Sequence, residues 1–286
     1  MTHVVAVLGA AGKTGSAVVR AAVARGLVVR GVLRPGRSRP AAWPEAVLPV
    51  EADLRRPDQL EQVLRGARAV YLIAPNLDPD EPALVRGVLA AAARAGVEHV
   101  VYHSVAQPGA RAMPHHLDKG EAEDLVRRSG SRWTVLQPCA YVQNLLGSLA
   151  RDPPRLALPY SADRAHALVD LLDVAEVAAE VLAAGERHHG AGYELGGPLV
   201  TLHEVAAVAA QVLGRPVAVS RPTVQEWLAE HGAGLDAFGT SRLAAMFDAY
   251  DRWGFPVGSL VLGALLGRPP RRVEEVLRRE AGSVAR

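Results

Sequence analysis

Three glycines at a spacing of three residues, Gly9, Gly12 and Gly15, form a pattern that could bind a phosphate. A valine-rich apolar run precedes them, and a segment rich in alanine and valine follows. A strand, a glycine turn and a helix in this order let the backbone approach a pyrophosphate, with free N–H groups at the helix N-terminus. The alternative interpretation is an ordinary tight turn. The residues predicted to hold the phosphates are those of the turn: Gly9, Ala11, Gly12, Lys13, Thr14 and Gly15.

The same turn contains the tripeptide Gly12-Lys13-Thr14, which matches the end of the nucleotide-binding P-loop motif. That motif requires a glycine five residues before Gly12, and the chain has Val7 there. The spacing therefore excludes a P-loop and leaves the dinucleotide interpretation.

The end of the second predicted strand indicates which dinucleotide would bind. A site for NAD usually has an Asp or Glu here for the ribose hydroxyls, whereas NADP requires a cation for its 2′-phosphate. The chain has Arg34 directly after the apolar run and no carboxylate from there to Arg39, which predicts NADP(H). A solvated, arginine-rich loop is the alternative. Asp53, followed by Leu54, is predicted to accept a hydrogen bond from adenine, or else to cap the helix that starts at Pro57.

His115 and Lys119 are polar residues at helical spacing that could take part in catalysis, and Glu123 lies one turn further. The chain has 32 lysines and arginines, and only Lys13 and Lys119 are lysines. A lysine that persists in such a composition hints that a compact ammonium is needed. The alternative is a surface pair between Lys119 and Glu123, with two solvated histidines beside it.

The elements that must position these residues follow from the periodicity of the apolar residues. Strands and helices alternate as far as Pro138, a rhythm typical of a parallel sheet with helices on both faces and a ligand at the carboxyl ends of the strands. Beyond Pro138 the pattern loosens, and the last part is predicted to be helical with Pro and Gly breaks. The predicted strands are 4–8, 27–33, 46–50, 69–73, 99–103, 132–136 and 192–195, and the predicted helices are 57–65, 82–95, 114–128, 173–184 and 202–213.

These elements predict an α/β fold, a Rossmann-type doubly wound parallel sheet with a smaller, mostly helical C-terminal substrate domain. We place the nucleotide-binding domain at residues 1–199, including a cleft segment at 140–165, and the C-terminal domain at 200–286. The net charge of +2 gives no reason to expect nucleic acid or an anionic membrane as a partner. The single cysteine excludes an intrachain disulfide, and no apolar run is long enough to span a membrane. A cytoplasmic protein without a signal peptide, either monomer or homodimer, is therefore predicted.

Further matches along nearly the whole chain resemble the NmrA-like branch of the atypical short-chain dehydrogenases/reductases. The resemblance implies a Rossmann domain, NADP(H) binding and a substrate cleft beside a small C-terminal domain. The matching motifs are Gly9-x-x-Gly12-Lys-Thr-Gly15, Leu33-Arg34-Pro35, Ala52-Asp53-Leu54, His115-x-x-x-Lys119-x-x-x-Glu123, Trp133-Thr-Val-Leu136 before Pro138, Val169-Asp170-x-x-Asp173-Val174-Ala175 and Leu266-Gly-Arg-Pro-Pro270.

The resemblance also implies catalytic roles. Short-chain dehydrogenases commonly carry a Tyr four residues before the Lys, and His115 stands at that position here. We therefore expect Lys119 to bind the nicotinamide ribose and His115 to supply a proton. Ser104 resembles the catalytic Ser or Thr of the family, although a polar strand end is an equal alternative. Without the Tyr, reactions dominated by hydride transfer, such as quinone reduction, fit better than alcohol dehydrogenation.

Other residues are singled out by location alone. Ala74, Pro75 and Asn76 close the fourth predicted strand and should run beside the nicotinamide ribose, and Pro138 is also expected at the cofactor. Tyr141 and Asn144 are predicted to contact the substrate. His188 and His189 favour a solvated loop over a metal site, because no ligand partner stands nearby in sequence, and no metal is predicted.

The sequence is compatible with two classes of function. The first is an NADPH-dependent reductase of a small, largely apolar substrate, such as a quinone or an aromatic carbonyl or imine. The alternative is a non-catalytic, NADP(H)-sensing regulatory protein. A sugar epimerase is a distant third, because its chemistry relies on the Tyr that is absent.

Overall fold

The computed structural model of the protein describes residues 3–284. Its first half alternates strands and helices. Valine-rich runs form the strands because branched side chains pack well in a buried pleated sheet. The elements are β1 (Val4–Leu8), α1 (Lys13–Ala24), β2 (Val28–Leu33), β3 (Leu48–Glu51), α2 (Pro57–Leu64), β4 (Ala69–Leu72), α3 (Glu81–Arg94), β5 (His99–His103), α4 (Pro114–Arg127) and β6 (Arg132–Pro138).

The second half mixes very short strands with helices. Two of its helices, Leu202–Leu213 and Val224–His231, begin with capping boxes in which Thr201 and Thr223 accept hydrogen bonds from the backbone N–H groups of Glu204 and Glu226. The elements are β7 (Ala140–Tyr141), α5 (Leu146–Leu149), β8 (Arg155–Ala157), β9 (His166–Val169), α6 (Leu171–Ala184), β10 (Ala191–Leu195), β11 (Leu199–Val200), α7 (Leu202–Leu213), β12 (Ala218–Ser220), α8 (Val224–His231), α9 (Ala237–Trp253), α10 (Leu260–Leu266) and α11 (Val273–Val284).

Seven strands form the main sheet, in the order β10-β6-β5-β4-β1-β2-β3. The pairs from β6 to β3 are all parallel. The chain builds outward from β1 to β2 and β3, then crosses to the other side of β1 to start β4. This reversal is the topological switch point at which doubly wound sheets bind ligands beyond the carboxyl ends of their strands. The predicted α/β fold class is confirmed.

The chain divides into two compact units. The first contains residues 3–109, 116–138 and 172–193 and is built on the main sheet. Its core is fully buried on both faces of the sheet, as parallel sheets require, with Leu8, Leu72 and Tyr102 inaccessible to solvent.

The second unit contains residues 110–115, 139–171 and 194–284. It holds the small sheet β11-β9-β7, the pair β12-β8 and a core in which α11 packs on α5 and α7. Asp170 is completely buried here, and Arg279 from α11 donates to both of its carboxylate oxygens at 2.7 and 2.9 Å. Gln143 adds a third hydrogen bond at 2.7 Å, so this buried charge is fully paired.

The structure differs from the sequence prediction mainly after residue 138. The strands β7, β8, β9, β11 and β12 were not predicted, because runs of two to four residues are too short to show a period. Strand β6 also extends to Pro138 instead of ending at 136. The structure groups residues 139–171 with 194–284, whereas the sequence assigned 140–165 to the first domain. The boundary between 199 and 200 stays a prediction.

Candidate functional site

Two of the three glycines in the β1–α1 turn are required by the packing of the chain itself. Gly9 has a φ of +72°, and a Cβ atom there would lie 2.9 Å from the carbonyl oxygen of Ile73. A Cβ on Gly15 would lie 2.2 Å from the carbonyl oxygen of Gly9, because α1 crosses directly over the turn. Any side chain at either position would force the backbone to move.

Gly12 is different, since the chain leaves room for a side chain there. Its φ is −70°, which any residue adopts, and a Cβ would have only the carbonyl oxygen of Gly9 near it, at 3.4 Å. Gly12 is also the N-cap of α1, whose first turn has no acidic residue and no side-chain cap. A helix N-terminus of this kind can bind an anion through its backbone N–H groups.

A cavity of about 830 Å³ opens in front of this turn, within the first unit. It lies at the carboxyl ends of β1, β2, β3 and β4. Most of the cofactor-binding residues predicted from the sequence line this cavity. They are Gly9, Ala11, Gly12, Lys13, Thr14, Gly15, Arg34, Asp53, Leu54, Ala74, Pro75 and Asn76.

The charge on the cavity wall favours an anionic ligand. Four cationic side chains line it, Lys13, Arg34, Arg37 and Arg55, against the single carboxylate of Asp53. Arg55 is paired with the buried Asp78 at 2.6 Å, which fixes it in place. Desolvation lowers the pKa of Lys13. A phosphate entering the cavity would stabilise the charged form of this ammonium, which burial disfavours.

The turn after β2 presents two arginines to solvent, Arg34 and Arg37, and the N–H of Arg37 donates to the carbonyl of Arg34 at 3.0 Å. The sequence interpretation missed one nearby carboxylate. Glu51, at the end of β3, accepts from the N–H of Gly36 at 3.4 Å. No local signal indicated this contact, because it depends on the pairing of β3 beside β2.

Asp53 does not cap α2. Its Oδ1 accepts from the N–H of Arg55 at 2.9 Å, and the N-cap of α2 is Arg56. The helix-cap alternative for Asp53 is therefore wrong. The backbone N–H of Asp53 donates to the side chain of Gln59 at 3.0 Å, which holds this strand end against α2.

Lys119, on α4, is bound by a carboxylate from α3. Its ammonium donates to Glu81 at 2.8 and 3.1 Å, and the hydroxyl of Tyr102 donates to the same carboxylate at 2.5 Å. The alternative of a surface pair between Lys119 and Glu123 is wrong. His116 is buried as well, with its Nδ1 2.9 Å from the carbonyl oxygen of Ala106, so it is not the solvated histidine of that alternative.

Glu123 instead lies in a second buried cluster that contains Ser104. The Ser104 hydroxyl donates to Glu123 at 2.5 Å, and Arg127 and Gln137 donate to the same carboxylate at 2.6 to 3.0 Å. A serine has one O–H donor, and here the buried carboxylate takes it. In this arrangement Ser104 offers lone pairs to a ligand and no proton. Its predicted catalytic role stays a prediction.

The remaining predicted residues lie outside the cavity lining. Pro138 ends β6, and its carbonyl accepts from the N–H of Ala106 at 2.9 Å. Half-buried His115 lies on α4, four residues before Lys119. The second unit contains His115 and also half-buried Tyr141, which ends β7, and exposed Asn144, which lies in the 3-10 helix Val142–Asn144.

Sequence reasoning also missed a buried polar pair at the carboxyl end of β5. The hydroxyl of Tyr71 and the Nδ1 of His103 are 2.7 Å apart inside the first unit. Burial lowers the pKa of His103 to about 3, so this imidazole is neutral near neutral pH. Both residues sit in apolar runs, and nothing local to the sequence marks them.

The two adjacent histidines at 188 and 189 have different environments. His188 is buried, with its Nδ1 3.0 Å from the Tyr193 hydroxyl, and its carbonyl accepts from Thr134. The solvated-loop interpretation is therefore wrong for His188, whereas His189 is exposed. Within residues 3–284 no group of three or more His, Cys, Asp or Glu side chains could hold a metal ion. Over the same range, every helix is too short or too polar to cross a membrane.

Comparison with known proteins gives a family and several relatives. The family model described as the NmrA-like family matches residues 1–255. A (4-alkanoyl-5-oxo-2,5-dihydrofuran-3-yl)methyl phosphate reductase of Streptomyces griseus is 38% identical over 164 residues, which are 55% of this chain and 56% of the relative. An NAD(P)H azoreductase of Xenophilus azovorans is 31% identical over 179 residues, 61% of each chain. The matches thus span only about six tenths of these relatives.

Two solved structures illustrate the similarity of fold. An NADPH-dependent quinone oxidoreductase of Escherichia coli, complexed with NADPH, has a TM-score of 0.83 at 23% identity, covering 96% of this chain and 99% of its own. NmrA, a negative transcriptional regulator in complex with NADP, has a TM-score of 0.80 at 18% identity, covering 97% and 94%. The two proteins share one fold, but one is named an oxidoreductase and the other a transcriptional regulator.

Proposed function

We propose that this chain, which belongs to the NmrA-like family, is an NADPH-dependent reductase of a small, largely apolar substrate, with a quinone or an aromatic carbonyl or imine as the substrate type. The observation that carries the proposal is the cavity at the switch point of the sheet. Its wall combines an uncapped helix N-terminus, a glycine without a packing reason, and four cationic side chains, of which Arg55 is paired with Asp78, beside the carboxylate of Asp53.

The residues present fit NADPH. The N-terminus of α1 and Gly12 suit the pyrophosphate, because a phosphate can approach N–H groups closely where no side chain intervenes. Arg34 and Arg37, exposed after β2, suit the 2′-phosphate, since guanidinium groups form paired, charge-assisted hydrogen bonds with phosphate oxygens. Ala74 and Asn76 line the wall after β4, where the ribose of the nicotinamide is expected.

When bound, NADPH supplies a hydride from its nicotinamide ring. The protein then has to deliver one proton for each hydride, because reduction of a quinone to a hydroquinone consumes both. We assign that proton to His115 or to solvent, since Ser104 already donates its only hydroxyl proton to Glu123. Lys119 is assigned to the ribose as a fixed ammonium.

The substrate class is supported by the chemistry of the relatives. The two similar enzymes are named for an unsaturated lactone phosphate and for azo compounds. A conjugated acceptor spreads the negative charge that a hydride brings, so it needs a weaker proton donor than an isolated ketone does. This agrees with a chain that has His115 where short-chain dehydrogenases commonly have a Tyr.

The test is a panel of quinones, azo dyes, and aryl carbonyls and imines, incubated with NADPH and followed by loss of nicotinamide absorbance. Turnover of at least one conjugated acceptor is expected, and the Gly12→Ala protein should show none. Tight binding of NADPH without turnover of any acceptor would contradict the reductase and favour the NADP(H)-sensing alternative. Absence of NADPH binding would contradict both.

A further inference from the structure

The ammonium of Lys119 is held inside the first unit by partners from two other elements. Glu81, at the first turn of α3, accepts from Lys119 with both carboxylate oxygens, at 2.8 and 3.1 Å. Tyr102 of β5 donates its hydroxyl to the same carboxylate at 2.5 Å. Glu81 and Tyr102 are nearly inaccessible, and the Lys119 side chain is 17% exposed. An ammonium in this position is therefore mostly removed from water.

This pairing determines what Lys119 can offer to a ligand. An ammonium has three N–H donors, and the carboxylate of Glu81 leaves at least one of them for another acceptor. The pair also lies near the nucleotide cavity, because Leu84, three residues after Glu81 on the same face of α3, lines it. Glu81 thus holds the Lys119 ammonium in one place and lies beside its charge.

The titratable side chains around Lys119 in the described structure come from α3, β5 and α4. The titratable groups that interact with it are Glu81, Tyr102, His103 and His116. Burial lowers the pKa of His103 to about 3 and of His116 to about 4, so both imidazoles are neutral. Burial, and then Glu81, raise the pKa of Tyr102 well above its ordinary value.

We propose that Glu81 is the positioning residue of the nicotinamide side of the site, where it keeps Lys119 charged and aimed at the ribose. The proposal rests on the proposed NADPH binding. Its physical reason is that burial disfavours a charged amine unless an opposite charge lies beside it. A glutamine at 81 keeps the size and one carbonyl acceptor but removes the charge. Lys119 in Glu81→Gln should then lose its proton, and its ligand contact, in mildly alkaline solution.

The experiment measures NADPH affinity by fluorescence titration from about pH 7 to about pH 10, the range in which an unpaired buried lysine would titrate. Wild type should change by no more than about twofold across the range, whereas Glu81→Gln should weaken by about tenfold toward its alkaline end, about 1.4 kcal/mol. The double variant Glu81→Gln/Lys119→Arg should lose this pH dependence, because a guanidinium stays charged. Asp170→Asn is the matched control, since it removes a buried, ion-paired carboxylate in the second unit.

The Asp170→Asn substitution should lower the thermal stability of the protein. The pH dependence of NADPH binding should stay as in wild type. If Glu81→Gln does not fold, Glu81→Asp serves instead: it keeps the charge on a shorter side chain and should weaken NADPH binding at every pH. A folded Glu81→Gln protein with the wild-type pH profile would overturn this inference and leave the proposed function standing. A Glu81→Asp protein with wild-type affinity for NADPH would do the same. A wild type that binds no NADPH at any pH would overturn the proposed function, and this inference with it.

Discussion

Gly12 and Gly15 lie three residues apart at the start of α1. Alanine at Gly12 should affect cofactor binding, whereas alanine at Gly15 should affect folding. A methyl group on Gly12 would find only the carbonyl oxygen of Gly9 nearby, at 3.4 Å, and the backbone already has an ordinary φ of −70°. A methyl group on Gly15 would lie 2.2 Å from the same oxygen and 2.8 Å from the Cα of Ala10. Gly12→Ala should therefore fold and fail to bind NADPH, whereas Gly15→Ala should fold poorly.

The magnitudes follow from these contacts. Gly12→Ala replaces glycine by a weaker N-cap, at a cost of about 1 kcal/mol or less in unfolding free energy. Gly15→Ala overpacks a rigid backbone contact, for which about 1–3 kcal/mol is typical and more is reasonable at such a short distance. In Gly12→Ala the methyl group takes the place of the pyrophosphate. Losing even one hydrogen bond to that charged group costs about 1.5–3 kcal/mol, which is more than tenfold in affinity.

The assay is thermal unfolding of both variants and wild type, with and without NADPH, together with direct titration of the cofactor. Wild type should be stabilised by NADPH, and Gly12→Ala should unfold near the ligand-free wild type whether or not NADPH is added. A Gly12→Ala protein with wild-type affinity would show that the phosphates bind elsewhere. A Gly15→Ala protein as stable as wild type would show that the close contact with Gly9 relaxes freely.

Arg34→Ala should weaken NADPH at least tenfold, about 1.4 kcal/mol, and leave NADH nearly unchanged in calorimetric titrations; equal affinity of wild type for the two cofactors would contradict the assignment of Arg34 to the 2′-phosphate. Lys119→Ala should weaken NADPH binding and turnover together, whereas His115→Ala should keep NADPH affinity and lower turnover by roughly 10²-fold if it is the proton donor. A small effect of His115→Ala in steady-state kinetics would assign the proton to solvent. Stability should fall as the pH drops from about 6.5 toward about 4, because the unfolded chain binds protons that buried His103 and His116, with pKa values near 3 and 4, do not. Each histidine lowers the free energy of unfolding by up to about 1.4 kcal/mol per pH unit in that window. Denaturant unfolding curves that coincide at about pH 6.5 and about pH 4 would show that these two histidines are not neutral and buried in the folded protein.

The nucleotide half of this protein could be predicted because its signals are local. The valine-rich run, the turn and α1 are consecutive in the chain, and a glycine that must accept a positive φ, such as Gly9, is visible as a residue type. Arg34 is likewise placed by the strand that ends before it. The sequence did not show which glycine serves the fold and which serves a ligand. That distinction between Gly15 and Gly12 depends on where the carbonyl of Gly9 lies in space.

The pairing of the polar residues was decided by the tertiary structure alone. Spacing on α4 left open a surface pair of Lys119 with Glu123 as the alternative, but Lys119 contacts Glu81 and Glu123 contacts Ser104. Helical spacing identifies neighbours along one surface, whereas a buried charge takes whichever partner the packing of helices on the sheet brings to it. Glu81 is 38 residues from Lys119 in sequence, and only the parallel crossover that sets α3 beside α4 joins them. A non-local contact of this kind leaves no period in the sequence, because its geometry exists only after the sheet has formed.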